Sequence, residues 1–181
     1  MKKEIWGILI RYALLILIAI PGFWYFYYIF TPLTLYPTAF LLNAVYDSTI
    51  CKDSILLGSK VVIQIIGACV AGSAYYFLLI LNLSVPKIKI SRRVMMILFS
   101  FVIFLIINIL RIFILSLMYV SESSLFETLH KTFWYVGSIF FVILIWFLEV
   151  KIFKIKEIPF YSDLKTLYKK SVLGKKQRKN A

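Results

Sequence analysis

Histidine occurs once in these 181 residues, and cysteine twice, at Cys51 and Cys69. That is too few ligands, too far apart, for a zinc site, so no metal and no other cofactor is expected. The chain has no internal repeat and no Gly/Ser-rich linker, in keeping with a single domain. Acidic side chains are scarce: 8 Asp and Glu stand against 21 Lys and Arg, a net charge of +13. A basic surplus of this size suits nucleic acid, but its placement does not. The charges fall between and after long apolar runs, where they orient a membrane protein.

What is abundant is hydrocarbon. The chain is 62% hydrophobic and 18% aromatic, with a mean hydropathy of +0.90. In water such a chain would expose large apolar patches. Four apolar stretches, roughly 5–30, 61–82, 94–119 and 132–150, each have about the 20 residues a bilayer-spanning helix needs. The first is too long for a signal-peptide core and ends in no small-residue cleavage site, while Pro21 and Gly22 mark a kink. Residues 31–59 read differently. They carry Pro32, Pro37, Asn43 and Asp47, and their apolar part is too short to span. A short interfacial or re-entrant helix starting after Pro37 is expected there.

Lys and Arg set the orientation. Lys2, Lys3 and Arg11, then Lys87, Lys89, Arg92 and Arg93, then the run from Lys151 to Lys179 all fall on one side if there are four spans. The other side holds only Lys52, Lys60 and Lys131, against Asp47, Asp53, Glu122 and Glu127. The expected fold class is therefore an all-α polytopic membrane bundle in the plasma membrane, with both termini inside. Residues 1–155 are expected to form the transmembrane bundle and 156–181 a basic cytoplasmic tail. Its end, GKKQRKNA, lies on an anionic inner leaflet or stays disordered.

Against this map "NILRIF" stands out, because it puts Arg111 in the third span with Asn108 at i−3 on the same face. A guanidinium near a span's centre costs about 2.5 kcal/mol or more, and such residues face a bundle interior or a wet cavity. Counted at 1.5 Å per residue, Arg111 and Cys69 both lie about 12 Å below the outer surface. His130 lies at the outer mouth of the fourth span. Alone, Cys69 reads as a small hydrophobe and His130 as an interfacial residue. Gly72, Ser73 and Tyr76 follow Cys69 at i+3, i+4 and i+7, a small-residue face that suits a substrate backbone and equally suits helix packing. Glu127, at i−3 from His130, is placed to orient the imidazole, and Trp134, at i+4, to shield it. Together the three suit acyl transfer. A thiolate attacks, a histidine moves the proton, and a cation holds the charge that develops on a carbonyl oxygen.

The order Cys, Asn-x-x-Arg-Ile, His resembles the exosortase/archaeosortase family, and is most similar to its small archaeal members. The matching stretches are "ACVAGS" around Cys69, "NILRI" around Arg111 and "LH" at His130, within roughly residues 36–165. "YPTAFLL" and "ACVAGSAYY" also look like family sequence. The resemblance implies a multispanning cysteine transpeptidase, with Cys69 as nucleophile, Arg111 as transition-state stabiliser and His130 as acid/base. It implies, as partners, membrane-anchored precursor proteins whose C-terminal sorting signal is a short motif, a span and a basic tail. The acyl group passes to a lipid amine or hydroxyl, or to water. This chain departs from the pattern in being shorter than many members. It also has Cys69-Val70-Ala71-Gly72 in place of Cys-[ST]-Gly, which leaves the substrate motif open.

Two other classes fit parts of the chain. A transporter or assembly subunit would use Arg111 as a structural or substrate-binding charge and leave Cys69 dispensable. A lipid-phosphate enzyme would need more outer-face cations than Lys52, Lys60 and Lys131, and gives Cys69 no role. A Cys51–Cys69 disulfide on an oxidising face would bury the nucleophile in a bond, and the two cysteines belong to segments of different depth.

Overall fold

A computed structural model describes residues 2–58, 61–157 and 159–170 of the chain. It is mostly helical, and two of its helices are long and apolar enough to cross a bilayer. A bent pair makes a third if it counts as one span.

The longest helix, α5 (Ile90–Val120), shows why the sequence folds as it does. Every fourth residue from Met96 through Ser100, Phe104, Asn108 and Ile112 is buried. Leu98, Val102, Ile106, Leu110 and Ile114 form the opposite, open stripe. A helix that is apolar all round belongs in lipid, and the open stripe is its lipid face. The polar members of the buried stripe are therefore turned toward the other helices. The second spanning element runs from α6 (Phe126–Thr132) through a π-helical turn at Phe133–Gly137 into α7 (Ser138–Ile152).

At the amino end, α1 (Lys2–Ala19) meets α2 (Trp24–Asn43) at a 69° bend. The break falls at Pro21-Gly22, where Gly22 and Phe23 both take left-handed backbone angles. The short helix expected after Pro37 is replaced by a helix that starts at Trp24 and passes through Pro32 and Pro37. Packing explains the difference. Proline removes one internal hydrogen bond, but Phe26, Phe30, Leu35, Ala39 and Leu42 bury one side of α2. Phe30 stacks on Tyr75 at 3.7 Å between ring centres, and Tyr75 meets Phe104 edge-on at 4.8 Å.

The second expected span, 61–82, is not one helix, and the fold is not wholly α. Residues 61–64 are the last strand of a three-stranded antiparallel sheet: β1 (Ser48–Cys51), β2 (Ser54–Leu57) and β3 (Val61–Gln64), in that order. Ser48 pairs with Leu57, and Leu57 with Val61. A one-turn helix, α3 (Gly67–Val70), follows, and then α4 (Gly72–Leu83). Ala71 separates the two helices with φ 56° and ψ 47°. The β-branched run Val61-Val62-Ile63 favours a strand once β2 is there to pair with it. What remains for α4 is about 18 Å of helix, shorter than a bilayer's hydrocarbon core of about 30 Å.

The far end of the bundle is basic and tightly clamped. Arg11 donates to the carbonyls of Leu83 (3.0 Å) and Val85 (3.1 Å). Arg93 donates to those of Asn82 (2.9 Å), Leu83 and Val85 (both 2.7 Å). The carbonyls of Asn82 and Leu83 end α4, where cations are favoured, and that of Val85 follows just beyond it. Arg11 also grips both oxygens of Asp163, at 2.9 and 3.0 Å. Asp163 belongs to α8 (Tyr161–Lys170), so this part of the basic tail packs on the bundle. GKKQRKNA lies outside the described residues. Nearby, Glu149 is fully buried on α7 and accepts from Asn82 Nδ2 at 3.1 Å.

Candidate active site

The site lies at the opposite end of the bundle, where the sheet meets α5 and α6. Strand β3 leads through Ile65 and Ile66 into α3, so Cys69 sits on a single helical turn between sheet and bundle. Its N–H bonds to Ile66 C=O at 2.8 Å. The left-handed residue Ala71 turns the chain away again, and α4 starts in a new direction. Glycine allows the close approach that fixes this corner. A Cβ on Gly72 would lie 2.9 Å from Tyr27 Cε1, and one on Gly67 would lie 3.3 Å from the same atom.

The carbonyl of Cys69 faces α5. Asn108 Nδ2 donates to it at 2.8 Å and Arg111 Nη2 at 3.3 Å. One turn of α5 therefore holds the backbone of the cysteine with two side chains. Asn108 is buried, and its Oδ1 has no hydrogen-bond partner among the described residues. A guanidinium carries five N–H donors. Only the one from Nη2 is engaged among the described residues, and Nε is buried without a partner.

Cys69 and Arg111 line one cavity of about 890 Å³, together with Ser73, Tyr27, Ser116 and His130. His130 is exposed on α6, stacked on Phe126 at 5.3 Å and edge-on to Trp134 at 6.3 Å between ring centres. No hydrogen bond joins it to Cys69 among the described residues. The π-helical turn starts three residues beyond it, and such turns give a helix a local adjustable joint.

Cys69, Asn108 and Arg111 are thus in direct contact, and His130 faces the same space. The rest of the sequence-derived set divides. Ser73 lines the cavity. Gly72 packs on Tyr27 instead. Tyr76 donates to Leu15 C=O at 2.9 Å, so the single face through Cys69, Gly72, Ser73 and Tyr76 does not exist; Ala71 breaks the helix that would carry it. Glu127 pairs with Lys131 at 2.8 Å, not with the imidazole, because both are exposed and sit at i,i+4. Cys51 is free, exposed and on β1.

Sequence reasoning missed Tyr27 and the whole of β3. Tyr27 left no signal among so many aromatics. Val61–Gln64 did carry one in its β-branched run, masked by reading it as the start of a membrane helix. The cavity's chemistry is a thiol and an imidazole beside a guanidinium with unused donors, within mostly apolar walls. No protein-family model, no curated protein and no solved structure shows a significant match to the chain.

Proposed function

We propose that this chain is a membrane-embedded cysteine transpeptidase or protease of the exosortase/archaeosortase kind. Its substrates are membrane-anchored precursors, cut at a C-terminal sorting signal on the extracytoplasmic side of the plasma membrane. The observation that carries the reading is the clamp of Asn108 and Arg111 on the Cys69 carbonyl, beside a cavity that Cys69, Arg111 and His130 line together. The N-in, C-in orientation is supported by the basic end of the bundle. Arg92 and Arg93 begin α5 and Lys151 ends α7, at the end remote from Cys69.

In this mechanism His130 takes the thiol proton, and the Cys69 thiolate attacks the scissile carbonyl carbon. Arg111's unengaged N–H groups hold the oxygen that becomes negative. The C–N bond breaks, and the leaving nitrogen collects the proton from His130. The resulting thioester is opened by a lipid amine or hydroxyl, or by water, which regenerates the thiol. His130 reaches the sulfur when substrate fills the cavity; catalytic hydrogen bonds are commonly loose in an empty site.

The test is in-cell processing of a surface protein that ends in a span and a basic tail. Cys69→Ala, Arg111→Ala and His130→Ala are compared at matched membrane levels. The expected result is that Cys69→Ala inserts normally and the precursor accumulates uncut. If Cys69→Ala processes normally while Arg111→Ala fails, the cysteine chemistry is wrong. Arg111 then belongs to the binding or transport site of a non-enzymatic membrane subunit.

A further inference from the structure

The sheet has two edges, and they are treated differently. In an antiparallel ladder alternate residues turn their N–H and C=O toward one neighbour and then the other. Gly58 N–H bonds to Asp47 C=O, and Ile65 N–H to Asp53 C=O, both at 2.8 Å. These bonds fix the alternation. Val61, Ile63 and Ile65 bond to β2, so Val62 and Gln64 turn their backbone groups outward. On β1 the outward residues include Ser48. Its N–H is taken by Asn43 Oδ1 at 3.1 Å and its hydroxyl donates to Ala39 C=O at 3.0 Å, both from α2. At Ser48 that edge is covered, as exposed edges usually are; Ile50, the next outward residue, is exposed and lies outside the cavity that holds Cys69.

The β3 edge is not. No backbone hydrogen bond reaches the outward groups of Val62 or Gln64 among the described residues. Both residues are exposed, and both line the cavity that holds Cys69. Two successive outward positions lie about 7 Å apart, which matches the repeat of an extended peptide. The strand runs directly into the turn that carries the nucleophile. Beside it the cavity wall is apolar, with Phe77, Ile112, Leu115 and Trp134.

We infer that β3 is the substrate-docking edge: an extended, apolar peptide segment adds to the sheet as a fourth strand along Val62 and Gln64. This rests on the cysteine-acyl-transfer reading of the same cavity, and it names what the cavity recognises. Main-chain bonds supply the hold, and apolar wall contacts supply the preference. An extended backbone held there is delivered along the strand toward Cys69.

The full chain in vesicles is treated with an acetylated Val-Ala-Ala chloromethyl ketone. The same tripeptide N-methylated at its amides, and iodoacetamide, are run in parallel. Modification is read at Cys69 by peptide mass, with exposed Cys51 as the internal control for intrinsic reactivity. With the ketone, the thiolate sulfur displaces chloride at the methylene carbon. The plain tripeptide is expected to label Cys69 about ten-fold faster than its N-methylated form, from the loss of one or two hydrogen bonds. Val62→Pro and Gln64→Pro each remove one outward N–H and no bond to β2, which an edge strand tolerates. Each is expected to slow the plain peptide about five-fold and to leave the iodoacetamide rate unchanged.

Equal labelling by plain and N-methylated peptides, with iodoacetamide active, overturns the docking edge and leaves the nucleophile standing. A preference for the plain peptide that both proline variants retain also overturns it. If the edge-dependent preference is found but Cys69→Ala still processes precursors, the edge stands and the acyl-transfer reading falls. If no reagent reaches Cys69, both fall.

Discussion

On the proposed cysteine chemistry, Asn108→Leu separates positioning of Cys69 from stability of the bundle. The substitution removes the 2.8 Å bond to the Cys69 carbonyl and keeps a side chain of similar bulk. The lost bond is worth about 1 kcal/mol, since Arg111 still donates to the same oxygen. Against that loss, the buried Oδ1 that lacks a partner disappears as well, and leaving such an atom unpaired costs about 1–3 kcal/mol. Net stability should move by no more than about 1 kcal/mol, a melting shift of roughly 2–4 °C. The effect on chemistry should be far larger. With one of two anchors gone, the single turn bearing Cys69 loosens, and a misplacement of about 1 Å can cost two orders of magnitude in rate. Precursor processing should drop at least about ten-fold at normal membrane levels. Asn108→Asp should be worse. It presents a carboxylate to a carbonyl and draws Arg111, at i+3, away from Cys69. Processing by Asn108→Leu within about two-fold of wild type, or Asp outperforming Leu, would refute the clamp as the device that sets the cysteine.

Other expectations follow from single contacts. Gly72→Ala puts a Cβ 2.9 Å from the Tyr27 ring and should cost about 1–3 kcal/mol in thermal denaturation. Tyr27→Ala should absorb part of that cost and Tyr27→Phe none, because Phe keeps the offending ring atom. Asp163→Ala breaks the bidentate bridge to Arg11, whose carboxylate end is almost fully buried. It should release α8 at a cost of about 3 kcal/mol, seen as hydrogen exchange confined to residues 161–170. Glu149→Gln should hold or raise the melting temperature. Asn82 Oδ1 and Glu149 Oε1 are both buried acceptors without donors, and glutamine adds a donor there. A clear loss would mean that the carboxyl is needed as such. Glu157, outside the spanning helices, accepts from Ser162 and from Lys87, and these hold its carboxyl below its ordinary value of 4.5. A depressed folded value means that the tie is fully present above that range and is lost as pH falls through the folded value. A carboxyl NMR titration checks the direction.

Much of this was legible in the sequence because it rested on periodicity. The four-residue spacing from Met96 to Ile112 carried Asn108 into the bundle, and the hydropathy around it made α5 unmistakable. Pro21-Gly22 announced the bend for the reason any proline-glycine pair does. What could not be read depends on partners distant in sequence. Pro37 looked like a helix start, and only the aromatic pack of Phe30, Tyr75 and Phe104 shows why the helix runs through it. Val61–Gln64 is hydrophobic enough for lipid, and its strand character needs β2 beside it. Ala71 carries no turn signal of its own. Its left-handed geometry follows from the corner between Tyr27 and the two glycines. Glu127 illustrates a different limit, since two neighbours competed for it and the lysine one turn away won over the imidazole.

The break at Ala71 has a mechanical side. Cys69 is not rooted in any helix that crosses the bilayer. Its covalent neighbours are β3 on one side and, through Ala71, the short helix α4 on the other, and α5 holds it by a pair of side-chain bonds to one carbonyl oxygen. A spanning helix tilts to suit the thickness of the membrane around it, and α5 carries Asn108 and Arg111 with it when it does. The sheet is tied to a different helix, through the bonds of Ser48 to Asn43 and Ala39 of α2. A tilt of α5 is therefore felt at the Cys69 carbonyl through two hydrogen bonds from one turn of that helix.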